Sequence, residues 1–271
     1  MKFVIWTWDY NKHVGGVRVL HKLCDTLNSL GQEAYVTCEI TNPEFDTPKI
    51  DVDNIDFENT VVIYPECIYD NPLGAKHVVR WLLWNAVEKY SCETDYIFKI
   101  LPDIKYITDQ CDGILTLMDF NLKFWNSHND GDRPQNMILL RKMRNFVVES
   151  QVQFVTNKIF YDDLPEDEHL IRDEMNKSTN FVSFDYSSYC SLQAAMCGCI
   201  SLVVPNSMFT LEEWHKKFPG FKYGVAYGID RIPHAKETMH LVKPHLEEMQ
   251  KNNLVTVHNF IKFWEDKLCK N

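Results

Sequence analysis

The chain has 271 residues, of which 45% are hydrophobic and 24% are charged. This balance is typical of globular proteins and excludes disordered and low-complexity architectures, while the length allows one large domain or two compact ones. The 28 Lys and Arg residues against 38 Asp and Glu residues give a net charge of −10, the wrong sign for a protein that neutralises phosphate backbones. We expect no nucleic-acid partner, and we expect any anionic ligand to be held by a few placed cations or helix N-termini.

The apolar segments of the sequence are short. The run at 3–8 is too short for the core of a signal peptide, and the run at 192–205 is interrupted by Gln193 and Gly198 and falls below the length that spans a bilayer. The sequence therefore predicts no membrane span and a cytoplasmic protein.

The nine cysteines are odd in number and scattered, a pattern that favours reduced thiols over a disulfide framework. Cys197 and Cys199 form the only close pair, and they lack the spacing and partner ligands of a zinc site. The Asp-x-Asp at Asp51 and Asp53 follows no strand-like run, so we do not interpret it as a metal site either. We expect no metal and no cofactor.

In chain order, the first elements predict a parallel sheet. Residues 2–8 form an apolar, aromatic-rich strand, and helical spacing of apolar residues follows from Val17 to a stop at Gly31. A second strand at 34–38 completes a strand–helix–strand unit, whose crossover is right-handed in parallel sheets. Further strands are predicted at 60–64 and 113–117, and 78–84 fits either a strand or a helix.

A polar stretch at 120–135 predicts a linker, after which the alternation restarts. We therefore expect two α/β halves, residues 1–130 and residues 131–271, the second closed by an amphipathic helix. The elements predicted for it are strands at 136–140, 152–155, 181–184 and 199–204 and helices at 164–176, 188–196 and 255–268.

A glycine pair, Gly15 and Gly16, lies between the first strand and the first helix. Bare backbone amides at the positive end of a helix dipole suit a phosphate or carboxylate, although a tight turn would use the same residues. The spacing is neither a dinucleotide fingerprint nor a P-loop. Asp9 and His13 lie just before the pair, where ligand sites of open α/β sheets occur, and His13 could serve as a base near neutral pH or be a solvated loop residue.

A second strand–loop–helix junction runs from Asp185 to Gln193. Ser187 or Ser188 is placed as a helix N-cap, and the free amides there could bind a diphosphate. A plain helix cap explains the same pattern, so both interpretations remain open.

At this point the chain resembles glycosyltransferases of the GT-B type, in which two Rossmann-like halves face each other across a cleft. The resemblance spans roughly residues 3–240, and its specific part is the order of the motifs. Short forms similar to this chain occur among enzymes of bacteria and of large algal DNA viruses (chloroviruses). The motifs that carry the resemblance are 15–31, 61–66 with 71–72, 79–81, 185–198 and 223–228.

The resemblance implies a donor site on the second half. In the retaining branch of these enzymes an acidic residue, seven spacers and a glutamate contact the donor sugar and ribose; here Asp185 and Gln193 stand at that spacing. Gln in place of Glu is a neutral, weaker acceptor, so stereochemistry stays open. The donor-binding set implied is Gly15, Gly16, Arg141, Lys142, Arg144, Asp185, Tyr186, Ser187, Ser188 and Gln193.

The resemblance places the acceptor on the first half. An inverting enzyme would need one of Asp9, His13, Glu66 and Asp70 as the general base that deprotonates an acceptor hydroxyl, with Asp9, His13 and Glu66 the catalytic candidates, whereas a retaining enzyme would need none. Asp70, Arg80 and Trp81 are the acceptor-binding candidates, although a tryptophan at position 81 or 84 also suits a core.

The resemblance thus predicts a metal-independent hexosyl- or pentosyltransferase that moves a sugar from a nucleotide sugar, a UDP-sugar, to a glycan hydroxyl. Two alternatives stay open. One is a nucleotide-sugar epimerase of GT-B-like fold, and the other is a non-catalytic scaffold that binds a nucleotide or a glycan.

Overall fold

The computed structural model describes residues 1–12, 14–86, 94–141, 144–145 and 155–268. Its contacts divide the chain into two compact units, Met1–Asp119 with Gln250–Asn271, and Phe120–Met249. The sequence assigned the C-terminal helix to the second half, whereas its residues from Gln250 onward pack within the first unit.

The first unit is built on a six-stranded sheet of order β2-β1-β3-β4-β5-β6 in which every described pairing is parallel. The segment predicted at 78–84 is the strand β4, and the strand predicted at 113–117 is ordered as β6 over two residues only. The elements are β1 (Lys2–Ile5), α1 (Gly15–Ser29), β2 (Glu33–Val36), β3 (Thr60–Pro65), β4 (His77–Leu82), β5 (Tyr96–Lys99) and β6 (Gly113–Ile114).

Helix α1 covers one face of this sheet with the apolar stripe that its sequence predicts. Leu20, Leu23 and Leu27 are buried, and burying each such side chain contributes about 1.5–3 kcal/mol. The helix stops where Gly31 adopts φ +78, a left-handed conformation that glycine takes without a Cβ clash. Trp264, near the end of the C-terminal helix, packs into the same core.

The second unit has a five-stranded sheet of order β11-β10-β9-β7-β8, again parallel in every described pair. Helix α2 begins at Glu168, because Asp167 caps it by accepting hydrogen bonds from the amides of His169 and Leu170. The elements are β7 (Gln135–Leu139), β8 (Lys158–Phe160), α2 (Glu168–Asn176), β9 (Ser178–Ser183), α3 (Cys190–Met196), β10 (Ile200–Val203), α4 (Leu211–Lys217), β11 (Val225–Tyr227) and α5 (Ile232–Thr238). The last helix, α6 (Val242–Leu268), begins in this unit and belongs to the first unit from Gln250.

The stretch predicted as a linker, 120–135, is instead part of the second unit. Trp125 is 4% exposed and packs in its core, and the amide of His128 donates to Asn176 Oδ1 over 2.8 Å. The polar residues that suggested a linker instead form hydrogen bonds with the backbone of α2 and β9. The side-chain amide of Asn129, for example, donates to the Asn176 carbonyl.

The other expected elements lie within a few residues of their predicted positions, with two exceptions. The C-terminal helix, predicted at 255–268, begins earlier, at Val242, and residues 152–154 are outside the described residues. Strands β5, β8 and β11 and helices α4 and α5 were not predicted. No helix among the described residues combines the length and the apolar character needed to cross a bilayer.

Candidate functional site

The first candidate site lies at the carboxyl edge of the first sheet. Strands β1, β3 and β4 are neighbours and parallel, so the residues that follow them meet at one edge, where ligands bind in open α/β sheets. Asp9 follows β1 and Glu66 follows β3 directly. Two of the residues proposed as the base thus follow neighbouring strands at the same edge of the sheet.

Glu66 is half-buried and held by the chain that follows β4. Its Oε2 accepts a hydrogen bond from the Leu83 amide over 2.9 Å, and the Trp84 amide also donates to this carboxylate. Burial raises the pKa of Glu66 above its usual value, against the lowering effect of these amides. A carboxylate whose pKa is raised toward neutrality is a better proton acceptor at working pH.

The start of helix α1 packs against Leu83. A Cβ placed on Gly16 would lie 3.6 Å from Leu83 Cδ1, and Leu83 is the residue whose amide binds Glu66. A Cβ placed on Gly15 would meet no atom within 4 Å, so packing alone does not require glycine there. Val14 provides no side-chain cap, and an uncapped first turn presents donor amides.

Asp9 is exposed and has a different environment. Its Oδ1 accepts hydrogen bonds from the amides of Ile40, over 2.8 Å, and Glu39, over 2.9 Å. These bonds lower the pKa of the Asp9 carboxyl. Asp9 therefore anchors the chain after β2 to the chain after β1, and it is a weaker base than Glu66.

Two of the three acceptor-binding candidates are in the core. Arg80 and Trp81 are 1% and 0% exposed. The Arg80 guanidinium pairs with Asp95 Oδ2 over 2.8 Å, and Trp81 Nε1 donates to the Leu115 carbonyl over 2.9 Å. Strand β4 is covered on both faces, so neither side chain reaches a ligand, and this prediction is wrong.

Asp70, the third candidate, is exposed and adopts φ 53. Its carbonyl accepts a hydrogen bond from Arg80 over 2.7 Å, so the buried guanidinium fixes the turn that presents Asp70. His13, a candidate base, lies outside the described residues.

In the second unit, Arg141 follows β7 in a left-handed conformation, φ 41. Asp162 holds this turn, because its carboxylate accepts the Leu140 amide over 2.8 Å and the Arg141 amide over 3.1 Å. The guanidinium lies over the ring of Tyr161, 5.4 Å from its centroid, and hydrogen-bonds to its hydroxyl. Arg141 is therefore presented in one orientation.

Asp185 lies close enough to Arg141 to act on it electrostatically, so the structure brings together two of the predicted donor-binding residues. Asp185 follows β9 and is 6% exposed. Its Oδ1 accepts hydrogen bonds from the amide and the hydroxyl of Ser187, over 3.0 and 3.1 Å. The charge of Asp185 is thus balanced partly by its own loop.

The expected N-cap differs in detail. Helix α3 begins at Cys190 with Tyr189 as the capping residue and no side-chain capping bond. The hydroxyl of Ser188 instead accepts the Cys190 amide over 3.3 Å. Gln193 lies in the middle of this helix and is half-buried.

Two other predicted donor-binding residues have structural partners. The ring of Tyr186 packs among those of Phe209 and Phe218, at centroid distances of 5.3 and 5.9 Å, so it belongs to the core of the second unit. Arg144 forms an exposed ion pair with Asp163 over 2.7 Å. Lys142 lies outside the described residues.

Tyr161 is the residue of this site that the sequence analysis missed. It follows β8 and starts the polar run Tyr161–Asp163, a short 3-10 helix. An aromatic residue followed by two acids at a strand end is the signal that could have identified it, since parallel strands end at the same edge.

In the part of the chain that the structure describes, no three His, Cys, Asp or Glu side chains are grouped to hold a metal ion. Cys197 and Cys199 are buried, and burial raises the pKa of each thiol to about 12. The turn between them is made by Gly198 at φ +87, so the Cys-Gly-Cys sequence is a packed turn.

Comparison with known proteins identifies the fold. No family model matches the chain, and no curated protein matches it in sequence. Among solved structures, a single-substitution mutant of T4 phage BGT in complex with UDP-glucose matches with a TM-score of 0.50 at 11% identity, covering 97% of this chain and 99% of that one. Spinosyn forosaminyltransferase SpnP matches with a TM-score of 0.45 at 12% identity, covering 99% of both chains.

The glycosyltransferase VinC in complex with dTDP matches with a TM-score of 0.42 at 12% identity, covering 97% of this chain and 98% of that chain. Structural neighbours of the chain are thus GT-B glycosyltransferases. The two parallel-sheet Rossmann-like units and the long C-terminal helix confirm the predicted α/β fold class, GT-B.

Proposed function

We propose that the protein is a metal-independent glycosyltransferase that moves a sugar from a UDP-sugar to a glycan hydroxyl. The observation that carries this proposal is the fold of the whole chain, which matches a UDP-glucose complex over almost its full length. Fold alone does not fix chemistry, so the proposal also relies on the groups at the two carboxyl edges.

On the acceptor side, Glu66 is the general base. Its carboxylate takes the proton of an acceptor hydroxyl, the acceptor oxygen forms a bond to the anomeric carbon, and the bond from that carbon to the diphosphate breaks to release UDP. This order of events inverts the anomeric centre. The raised pKa of Glu66 supports this role, because a base near the working pH transfers protons efficiently.

On the donor side, Arg141 holds the diphosphate, with Asp185 on the donor sugar. The Arg141 guanidinium lies over the Tyr161 ring, and Asp162 holds the Arg141 backbone amide. A guanidinium held in this way loses little freedom on binding and can bind two phosphate oxygens at once. Its charge also stabilises the negative charge that develops on the departing UDP.

We also propose that the sugar transfer takes place in the cytoplasm. The seven cysteines that the structure describes are all free thiols, which supports a reducing compartment.

Calorimetric titration with UDP, GDP, UDP-sugars and GDP-sugars, each with and without EDTA, tests the donor. We expect EDTA-resistant binding of one nucleotide, and Arg141→Ala should weaken it by about 1.5–3 kcal/mol, the range for hydrogen bonds to charged groups. Lys158→Ala removes an exposed cation of the same unit and should leave binding unchanged. If none of these nucleotides and nucleotide sugars binds, the donor assignment is refuted.

Product analysis separates the alternatives. Transfer to an acceptor with release of UDP supports the glycosyltransferase. Interconversion of the nucleotide sugar without an acceptor would identify an epimerase, and binding without turnover would identify a scaffold.

A further inference from the structure

The exposed tryptophans of the first unit follow the two strands that flank the strand leading into Glu66. Trp8 and Trp84 are 44% and 51% exposed, whereas Trp6 is half-buried. The remaining tryptophans of the chain are in the core: Trp81, Trp125, Trp214 and Trp264. Exposing an indole to water is unfavourable, so two exposed indoles at one sheet edge indicate a surface that contacts something.

Their places in the sheet flank the carboxylate. Trp8 follows β1 and Trp84 follows β4, and the strand between them in the sheet, β3, leads directly into Glu66. Two strand spacings separate β1 from β4, about 10 Å. That width is enough for one or two pyranose rings.

Both indoles are attached to fixed backbone. The Trp84 amide donates to the Glu66 carboxylate, so the aromatic ring and the proposed base share one rigid junction. The ring of Trp8 stands edge-on to that of Trp6 at 4.9 Å, and the Trp8 carbonyl lies 3.0 Å from Nε2 of the buried His21. A preorganised site of this kind spends little free energy on ordering when it binds.

The chemistry of this edge selects a class of ligand. An aromatic face beside a hydrogen-bond acceptor matches a pyranose, which has an apolar face of C–H groups and a rim of hydroxyls. Asp9 and Glu66 place two carboxylates after neighbouring strands of this edge, and their negative charge disfavours phosphate-rich ligands.

We propose that the acceptor is a neutral saccharide whose pyranose ring stacks on Trp84, with Trp8 contacting the adjoining ring and Glu66 accepting the reactive hydroxyl. This inference rests on the proposed function and adds to it the residues that select the acceptor. Trp84 is then a binding residue that determines acceptor affinity.

Quenching of tryptophan fluorescence by acrylamide tests the proposal on the unmodified protein, because only exposed indoles are readily quenched. The probes are neutral disaccharides of glucose, galactose, mannose and N-acetylglucosamine, with glucuronate-containing disaccharides, a single-stranded oligonucleotide and phosphatidylglycerol vesicles as competitors. We expect a neutral disaccharide to protect the exposed indoles. Protection only by an anionic probe, or by none, would overturn the proposal.

Substitutions of Trp84 test whether this residue contacts the acceptor. Trp84→Ala should raise the acceptor KM at least ten-fold with an unchanged donor KM, and Trp84→Phe should restore most of the affinity. Ile229→Ala, which truncates an exposed apolar residue of the second unit, is the control. Equal acceptor KM values for Trp84→Ala and the wild type would refute the role of Trp84.

Failure of this inference differs from failure of the proposed function. Calorimetric binding of a UDP-sugar with no saccharide protection would contradict the acceptor site alone. Saccharide protection without any nucleotide binding would contradict the glycosyltransferase and leave a saccharide-binding protein.

Discussion

Replacing Asp95 by Asn tests whether Arg80 is a core residue or a ligand-binding one. The Arg80–Asp95 pair is 1% exposed on both sides. The guanidinium also donates to the carbonyls of Ile68 and Asp70, over 2.6 and 2.7 Å, and lies over the ring of Tyr64, 5.0 Å from its centroid. Asn keeps the size of the side chain and removes only the charge that balances Arg80.

Breaking one side of a buried ion pair costs about 3–5 kcal/mol, because the remaining charge stays buried without its partner. We therefore expect Asp95→Asn to lower the free energy of unfolding by about this amount. In a chain of this size each kcal/mol lowers the melting temperature by roughly 2–4 °C, so the loss is on the order of 10 °C.

The assay is urea unfolding followed by circular dichroism, with thermal unfolding alongside it. Glu39→Gln is the control, since the Lys49–Glu39 pair is 51% and 86% exposed and exposed pairs contribute about 0–1 kcal/mol. Equal stabilities for Asp95→Asn and Glu39→Gln would refute the buried pair.

Three further predictions follow from local environments. The rate of sugar transfer should fall as the pH drops through the raised pKa of Glu66, since the base must be ionised, and Glu66→Gln should lower the rate about 10²–10⁴-fold in single-turnover kinetics. Iodoacetamide at pH 8 should label the exposed Cys111 before Cys197, whose thiol has a pKa of about 12; mass spectrometry checks this, and equal labelling would contradict it. Gly224→Ala should destabilise the fold by about 2–4 kcal/mol through backbone strain and overpacking, because Gly224 has φ +68 and an added Cβ would overlap Val242 Cγ2; an unchanged urea midpoint would exclude the clash.

The sequence predicted the fold where local patterns agree with the tertiary structure. Helix α1 was found because its apolar stripe and the stop at Gly31 both reflect packing on one sheet. Strand β8 was missed because Lys158–Phe160 is too short for alternation to show. The stretch at 120–135 was misassigned because its polar residues bind the backbone of neighbouring elements, and a long-range contact of that kind leaves no local pattern.

The site shows the same limit. The positions of Asp185 and Glu66 at sheet edges could be predicted because each residue follows a strand, and the ends of parallel strands lie at one edge. Arg80 was wrongly assigned because a charged residue in a strand is usually exposed. Its partner Asp95 immediately precedes β5, the strand next to β4, and a pairing between neighbouring strands leaves no local pattern in the sequence. Tyr161 was missed because its role depends on a contact with Arg141 across the sheet.

The two carboxylates at the edge of the first sheet, Glu66 and Asp9, have different environments, and we expect them to have different roles. Burial raises the pKa of Glu66, and two backbone amides lower that of Asp9. Groups whose environments shift their pKa values in opposite directions divide acid–base work between them. Asp9→Asn keeps an oxygen for the Ile40 and Glu39 amides, so it should preserve the loop and most of the transfer rate, whereas Glu66→Gln removes the proton acceptor itself. Equal losses in single-turnover rate from the two substitutions would mean that the base is neither side chain alone, and the assignment of Glu66 would then fail.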